Sequence, residues 1–240
     1  MRAIIIAAGR GSRLGEITEN VPKPLVEVNG ESILGRQIFL FKQLGIDDIV
    51  VITGYKREKI IFKDVNYVVN HLYSSTEQLF SLMRARNFFS GELIVTFGDI
   101  IYDQEILNQM ISEKGDLVLA FEKNWKESYA NRSDNPAIYS DFAHIKNKKV
   151  NKFFTNLDDE SFDTDDVVEF IGMMKLSSNI TEVFLTQYLE IEKEAEKLKI
   201  ISFLEMLRSS GVDMSTYFVK NKWCEIDTPQ DLEIARSVFS

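Results

Sequence analysis

Thiol and imidazole are scarce in this chain of 240 residues: it has one cysteine, Cys224, and two histidines, His71 and His144. A lone cysteine excludes an intrachain disulfide and a cysteine zinc cluster, and Cys224 reads as a small core filler. Neither histidine stands in a ligand or triad pattern, so neither is assigned a catalytic role. Positive charge is also short, with 28 Lys and Arg against 37 Asp and Glu and a net charge of −9. That balance argues against general nucleic-acid binding, which needs a basic footprint. No apolar stretch approaches a membrane span. Ala3 to Ala8 is too short for a leader and runs straight into a glycine loop. The expectation is a cytoplasmic protein with no membrane or nucleic-acid partner. Repeats and low-complexity linkers are missing too. What remains, 45% hydrophobic and 27% charged, is an ordinary composition. The length suits one domain spanning 1–240 with a full core.

The first fifteen residues are the most informative. Ala3-Ile-Ile-Ile-Ala7 is a continuous apolar run, as expected of a parallel strand buried on both faces. It opens into Ala8-Gly9-Arg10-Gly11-Ser12-Arg13-Leu14-Gly15. Such a loop can hold a polyphosphate, because backbone N–H groups approach closely where there is no Cβ. Arg10 and Arg13 can neutralise oxygen charge. Val21-Pro-Lys-Pro-Leu25 follows shortly after, and its two prolines stiffen the backbone around Lys23. A dinucleotide-binding turn fits poorly: that fingerprint reads Gly-x-Gly-x-x-Gly/Ala with an acidic residue about 20 positions on, and it carries no Pro-Lys-Pro.

Further along, strands and helices alternate. Ile33 to Leu44 has apolar residues at helical spacing and stops at Gly45. Asp48–Thr53, Tyr67–Asn70, Glu92–Phe97 and Asp116–Phe121 read as strands, with helices over Thr76–Phe89 and Gln104–Glu113. Such alternation predicts an α/β fold, a Rossmann-like three-layer sandwich with a mainly parallel central sheet. Ligands then bind at the carboxyl ends of the strands, where both Gly9-Arg10-Gly11 and Gly98-Asp99 fall. From about 123 to 166 the pattern breaks, and short antiparallel strands are expected to form a small lobe. Val167–Met174 returns to the core. Thr181–Lys197 and Ile201–Ser209 read as helices, and Thr216–Val219 and Trp223–Ile226 as strands around a turn. Pro229–Val238 is a closing helix with Pro in its first turn.

The N-terminal pattern resembles the signature of the nucleotidyltransferases that activate sugar phosphates, phosphocholine and phosphonates, a GT-A-like fold. That signature is a strand, then Ala-Ala-Gly-x-Gly-x-Arg-Leu, then Pro-Lys-Pro/Ala-Leu, and every fixed position is present here. The resemblance implies a catalytic pair, Lys23 and Arg13. Lys23 would neutralise the attacking phosphate or the α-phosphate, and Arg13 and Gly11 would hold the β- and γ-phosphates. Ala7, Ala8 and Gly9 would contact the base, while Arg10 stands at a variable place. Phe97-Gly-Asp99 and Glu225-Ile-Asp-Thr-Pro-Gln-Asp231 resemble the segments that supply two carboxylates, Asp99 and Asp227, to Mg²⁺. A cation preferring octahedral oxygen ligands suits that pair. Glu225 is an auxiliary candidate, and Asp231 reads as a first-turn helix acid.

Two further segments point to a branch. Asn70, Tyr73, Thr76, Ser81 and Leu82 fit the form of phosphocholine and phosphonate cytidylyltransferases, with Glu77-Gln78 in place of Asn-Asn. Thr76, Gln78 and Ser81 are therefore expected at a pyrimidine or ribose. Trp125-x-x-x-Tyr129-x-x-Arg132 is similar to the phosphonate-activating branch. Arg132 would clasp an acceptor phosphonate, Trp125 or Tyr129 would face a cationic amine, and Glu169 would bind that amine. The implied reaction joins CMP from CTP to a small phosphate or phosphonate acceptor. Candidates are 2-aminoethylphosphonate, a hydroxyalkyl phosphonate, phosphocholine and phosphoglutamine. A homodimer is left open. The alternatives are a sugar-1-phosphate uridylyl- or thymidylyltransferase and a regulatory module that holds a nucleotide without turnover.

Overall fold

A computed structural model of the chain describes all residues except 131, 135–136, 138–139, 148 and 156–165. Its core is a parallel quartet built from the most apolar runs. Strands β1 (Arg2–Ala7), β4 (Ile49–Thr53), β5 (Asn66–Val69) and β6 (Leu93–Phe97) lie in the order β5-β4-β1-β6. Between them run a short helix α1 (Ile17–Asn20), a two-stranded β2 (Glu27–Val28) and β3 (Glu31–Ser32), then α2 (Ile33–Gln43) and α3 (Gln78–Met83). After β6 come β7 (Ile100–Tyr102), α4 (Gln104–Ser112), β8 (Leu117–Glu122) and α5 (Trp125–Tyr129). The second half holds β9 (Phe142–Lys146), β10 (Lys149–Phe154), β11 (Val167–Leu176), α6 (Ser178–Glu190) and α7 (Ile200–Ser209). It closes with β12 (Ser215–Phe218), β13 (Trp223–Glu225) and α8 (Pro229–Val238).

Side-chain alternation along the strands separates two cores, which makes three layers. Ile4, Val50, Ile52 and Val95 face a cluster with Leu79, Phe184 and Phe203 of α3, α6 and α7. Ala3, Ile5, Val51 and Ile94 face the other side, with Leu34, Phe41, Ile106 and Met110 of α2 and α4. The mainly parallel α/β sheet is therefore observed.

Strand β11 joins the quartet to the rest. It runs antiparallel to β6 through Met173–Leu176, to β8 along much of its length and to β9 through Val167–Glu169. Its pairing with β8 shifts register between Phe170 and Met174. Gly172 lies inside that bulge at φ +77°, and a Cβ there would come within 2.6 Å of the Phe97 ring. Only glycine fits such a position without strain. In the segment expected as a lobe, β9 and β10 pair antiparallel and β9 continues the large sheet through β11; residues 156–165 of it lie outside the described residues.

Three local expectations need correction. The helix expected over Thr76–Phe89 is α3 plus a 3-10 turn at Arg86–Phe88. Thr76 stays outside because its hydroxyl accepts from Asn70 Nδ2 and donates to the Leu72 carbonyl, and Glu77 N–H donates to the Glu196 carbonyl. The helix expected from Thr181 to Lys197 starts earlier, because Ser177 caps it by accepting from Ile180 N–H. It stops at Glu190, and Ala195–Lys197 is a separate 3-10 turn. The two late strands do not form a hairpin. Strand β12 pairs parallel with β8, whereas β13 pairs antiparallel with β7 in a second small sheet. Among the described residues, no helix is long and apolar enough to cross a membrane.

Candidate active site

Strands β1 and β6 pair in parallel with Ile6 opposite Phe97, so the glycine loop and the Gly98-Asp99 turn emerge side by side. Strand β13 then adds the third arm. Glu225 stands opposite Ile100, and Ile226 N–H donates to the Asp99 carbonyl at 3.0 Å. Residues more than a hundred positions apart thus meet at one strand end. Asp99, Glu225 and Asp227 each present a carboxylate oxygen within 4.8 Å of the others.

Lys23 joins them from a 3-10 turn, Lys23–Leu25, that follows Pro22. Its stem packs against Gly11, which has φ +70°; a Cβ there would lie 2.8 Å from the lysine side chain. The glycine thus provides both the left-handed turn and the room for Lys23. The ammonium donates to Asp99 Oδ2 at 2.7 Å and to Asp227 Oδ1 at 2.5 Å. Burial alone would lower its pKa, but Asp99, Asp227 and Glu225 outweigh burial and hold it above the ordinary lysine value. Arg13, exposed at the rim, donates to Asp227 Oδ2 at 2.6 Å. Removal from water, followed by the charges of Asp227 and Asp99, pushes Glu225 well above the usual carboxylate range.

Two buried polar residues hold these carboxylates: Gln37, which the sequence reading passed over, and Asp231, which it read as a first-turn helix acid. Gln37 of α2 donates to the carbonyls of Phe97, at 2.9 Å, and Ile100, at 2.7 Å, which flank Gly98-Asp99. Its own carbonyl accepts from Thr96 Oγ1. Asp231 Oδ2 accepts from Asp227 N–H at 3.1 Å and from Thr228 N–H at 2.9 Å. Asp231 is thus a first-turn acid, as expected, inside a capping box whose N-cap is Thr228. Gln37 carries only the signal of a polar residue on an apolar helix face.

A cavity of about 470 Å³ opens beside the cluster. Of the expected nucleotide residues, Ala8, Gly9, Arg13, Thr76, Gln78 and Ser81 line it. Ala7 lies in the core below, Gly11 packs on Lys23, and Arg10 lies over the Tyr55 ring at 5.6 Å. Asn70 donates to the hydroxyls of both Thr76 and Ser81, at 3.0 and 2.9 Å, and so fixes that wall. Gln78 Oε1 is buried there without a hydrogen-bond partner among the described residues.

One part of the lining is acidic. Glu77, Asp141 and Glu169 add carboxylates to those of the cluster, and Lys199 pairs with Asp141 at 3.5 Å. Burial pushes Glu169 up to about 7, against the hydrogen bonds from Tyr129 and Ser140 and the charge of Arg132. Of the residues expected at the acceptor, Glu169 is on the wall and three stand behind it. Trp125 is buried against Phe142, and its indole N–H donates to the Val167 carbonyl. Tyr129 donates its hydroxyl to Glu169 Oε1 at 2.6 Å. The Arg132 guanidinium lies 4.8 Å over the Tyr129 ring, and its side chain is only 6% exposed.

The carboxylate cluster fits a divalent metal. Its donors are hard oxygens, and Asp99 Oδ1 is buried without a hydrogen-bond partner among the described residues. An anion-binding loop, two cations and a carboxylate set at the mouth of one cavity can grip a polyphosphate and hold charge at a reacting phosphorus.

Comparisons with known proteins agree with this geometry. CTP:phosphoglutamine cytidylyltransferase of Campylobacter jejuni is 26% identical over 253 residues, covering 98% of each chain. Choline-phosphate cytidylyltransferase of Streptococcus pneumoniae is 32% identical over 114 residues, 46% of this chain and 50% of that protein. A solved structure of the phosphocholine cytidylyltransferase from the same species superposes with a TM-score of 0.79 at 20% identity, covering 100% of this chain and 99% of that one; it is a likeness of fold. The model of the MobA-like NTP transferase domain matches residues 3–150. The chain belongs to this family of MobA-like NTP transferase domains and is a nucleotidyltransferase.

Proposed function

We propose that the protein transfers CMP from CTP to a small phosphate or phosphonate acceptor and releases pyrophosphate. The observation that carries this reading is Lys23 bridging Asp99 and Asp227 beside the glycine loop. The acceptor oxyanion forms a new bond to the α-phosphorus, the bond from that phosphorus to the β-bridging oxygen breaks, and pyrophosphate takes the electron pair. The acceptor is already ionised near neutral pH, so no general base is required. The barrier is the approach of two anions, which positioning and charge neutralisation lower. Lys23 supplies a buried positive charge at the reacting centre, and Arg13 supplies one at the rim for the leaving phosphates. Asp99 and Asp227, with Glu225 beside them, would hold Mg²⁺, which supplies electrophilic stabilisation of the phosphate oxygens.

The base is read from the opposite wall. The unpartnered Oε1 of Gln78 is an acceptor waiting for a donor, and cytosine offers an exocyclic amine where uracil and thymine offer a carbonyl. The acidic part of the lining favours an acceptor with an amine, and aminoalkyl phosphonates, phosphocholine and phospho-amino acids all carry a nitrogen group. Glu169 is the wall residue proposed to meet it. Reaction of the four common NTPs with sugar-1-phosphates, phosphocholine, phosphonates and phospho-amino acids tests this reading through pyrophosphate release. Release with CTP and a nitrogen-bearing phosphate or phosphonate is expected. Release only with UTP or dTTP and a sugar phosphate would overturn the reading of Gln78 and Glu169. Nucleotide-dependent thermal stabilisation without any release would reduce the site to a binding module.

A further inference from the structure

Arg132 is the one expected acceptor residue whose charge faces away from the cavity. Its Nε stands 3.7 Å from Asp231 Oδ1, and Asp231 is fully buried. The other oxygen of Asp231 holds the backbone of Asp227 and Thr228. The guanidinium also lies over the ring of Tyr129, whose hydroxyl holds Glu169. The chain just after Arg132 is pinned to the same helix: Gln230 Oε1 accepts from the backbone N–H groups of Ser133, at 3.0 Å, and Asp134, at 3.2 Å.

We propose that Arg132 is a positioning residue that links the acceptor wall to the carboxylate Asp227. It acts on Asp227 through Asp231 and on Glu169 through Tyr129, and it does not touch the acceptor. The physical basis is the cost of a buried carboxylate without a countercharge. Without the guanidinium, Asp231 loses that countercharge and shifts, and the N–H groups of Asp227 and Thr228 lose their acceptor geometry. Tyr129 also loses the planar cation that backs its ring, so Glu169 loosens. One substitution therefore weakens the metal carboxylate and the acceptor wall together. This inference rests on the reading of Asp99 and Asp227 as metal ligands.

The test is Mn²⁺ binding to the full chain with CTP, followed by electron paramagnetic resonance, alongside acceptor KM and kcat. In Arg132→Met, Mn²⁺ affinity should fall about 10- to 100-fold, the range for groups that orient metal ligands, and acceptor KM should rise with it. Arg132→Lys should restore metal affinity, because a point charge can pair with Asp231, but not acceptor KM, because it cannot stack as a plane. Should Arg132→Met fail to fold, Arg132→Gln keeps the length and a polar end and carries the same test. Wild-type Mn²⁺ affinity with a raised acceptor KM would make Arg132 a direct acceptor ligand and overturn the proposal. A lowered Tm with both constants unchanged would make it merely structural and overturn it as well. If the wild-type chain binds no Mn²⁺ with CTP, the metal reading itself has failed, an outcome distinct from either of these.

Discussion

Lys23 Nζ touches Asp99 and Asp227 at once, so a substitution at either carboxylate acts on the lysine as well. Asp99→Asn keeps the shape and removes one charge from the reacting centre. Its kcat should fall about 10²- to 10³-fold, the usual loss when one preorganised electrostatic group is removed, while thermal unfolding stays near wild type. Near-normal pyrophosphate release would remove Asp99 from the machinery. Glu169 gives a prediction in pH. Its pKa is raised to about 7 in the folded protein, against an unfolded value near 4.3. The folded state therefore holds the proton more tightly. Stability is unaffected below about pH 4, falls as pH rises from there through about 7, and is level above it, a total of about 4 kcal/mol. Glu169→Gln removes that slope. Its Tm should exceed wild type at pH 8 and match it at pH 4.5; an equal difference at both values would mean that Glu169 is ionised throughout. Both residues were legible in the sequence, Asp99 from its place after a strand and Glu169 from the resemblance. The raised pKa of Glu169 was not, because it depends on burial, which packing between distant segments decides.

At the level of elements, the site depends on how helices grip strand ends. Gln37 of α2 donates to two carbonyls that flank Asp99, Phe97 and Ile100, and the Phe97 carbonyl also accepts from the Thr96 hydroxyl. Gln37→Leu would remove the amide from both carbonyls and from Thr96, while the Thr96 hydroxyl still donates to Phe97. A stability loss of about 1–3 kcal/mol is expected, together with a lower kcat from a loosened Asp99 turn. Chemical denaturation and steady-state rates measure the two effects, and unchanged kcat at lower stability would confine Gln37 to the core. Periodicity found α2 almost to the residue, since its buried face repeats at helical spacing. It overran α3, because periodicity records which residues are apolar and not that Asn70 diverts Thr76 into a turn. It also read β12 and β13 as neighbours of each other. Strand pairing is settled by which edge is available, and here the edges were those of β8 and β7.

Across the whole molecule, a net charge of −9 coexists with a site for a polyanion. Lys23 and Arg13 reconcile the two locally, helped by the backbone N–H groups of the glycine loop. Binding should then be visible as stabilisation. CTP with Mg²⁺ at about 100 times its Kd should add about 2.7 kcal/mol, or roughly 5–10 °C in Tm for a chain of this size. EDTA should remove most of the shift, and UTP should give less. A larger shift with UTP would move the base assignment away from cytosine.

The sequence by itself determined the parallel α/β core and the glycine loop, and it singled out Lys23, Arg13, Asp99 and Asp227, which the fold brings together. These are local facts: apolar runs make buried strands, and a phosphate loop needs glycines in succession. The tertiary structure alone decided that Gln37 and Asp231 hold the backbone beside the two carboxylates and that Trp125, Tyr129 and Arg132 stand behind the cavity wall at Glu169. Those outcomes depend on strand register and on which buried polar atoms find partners. Both are set by packing between segments far apart in the chain, where no local pattern records them.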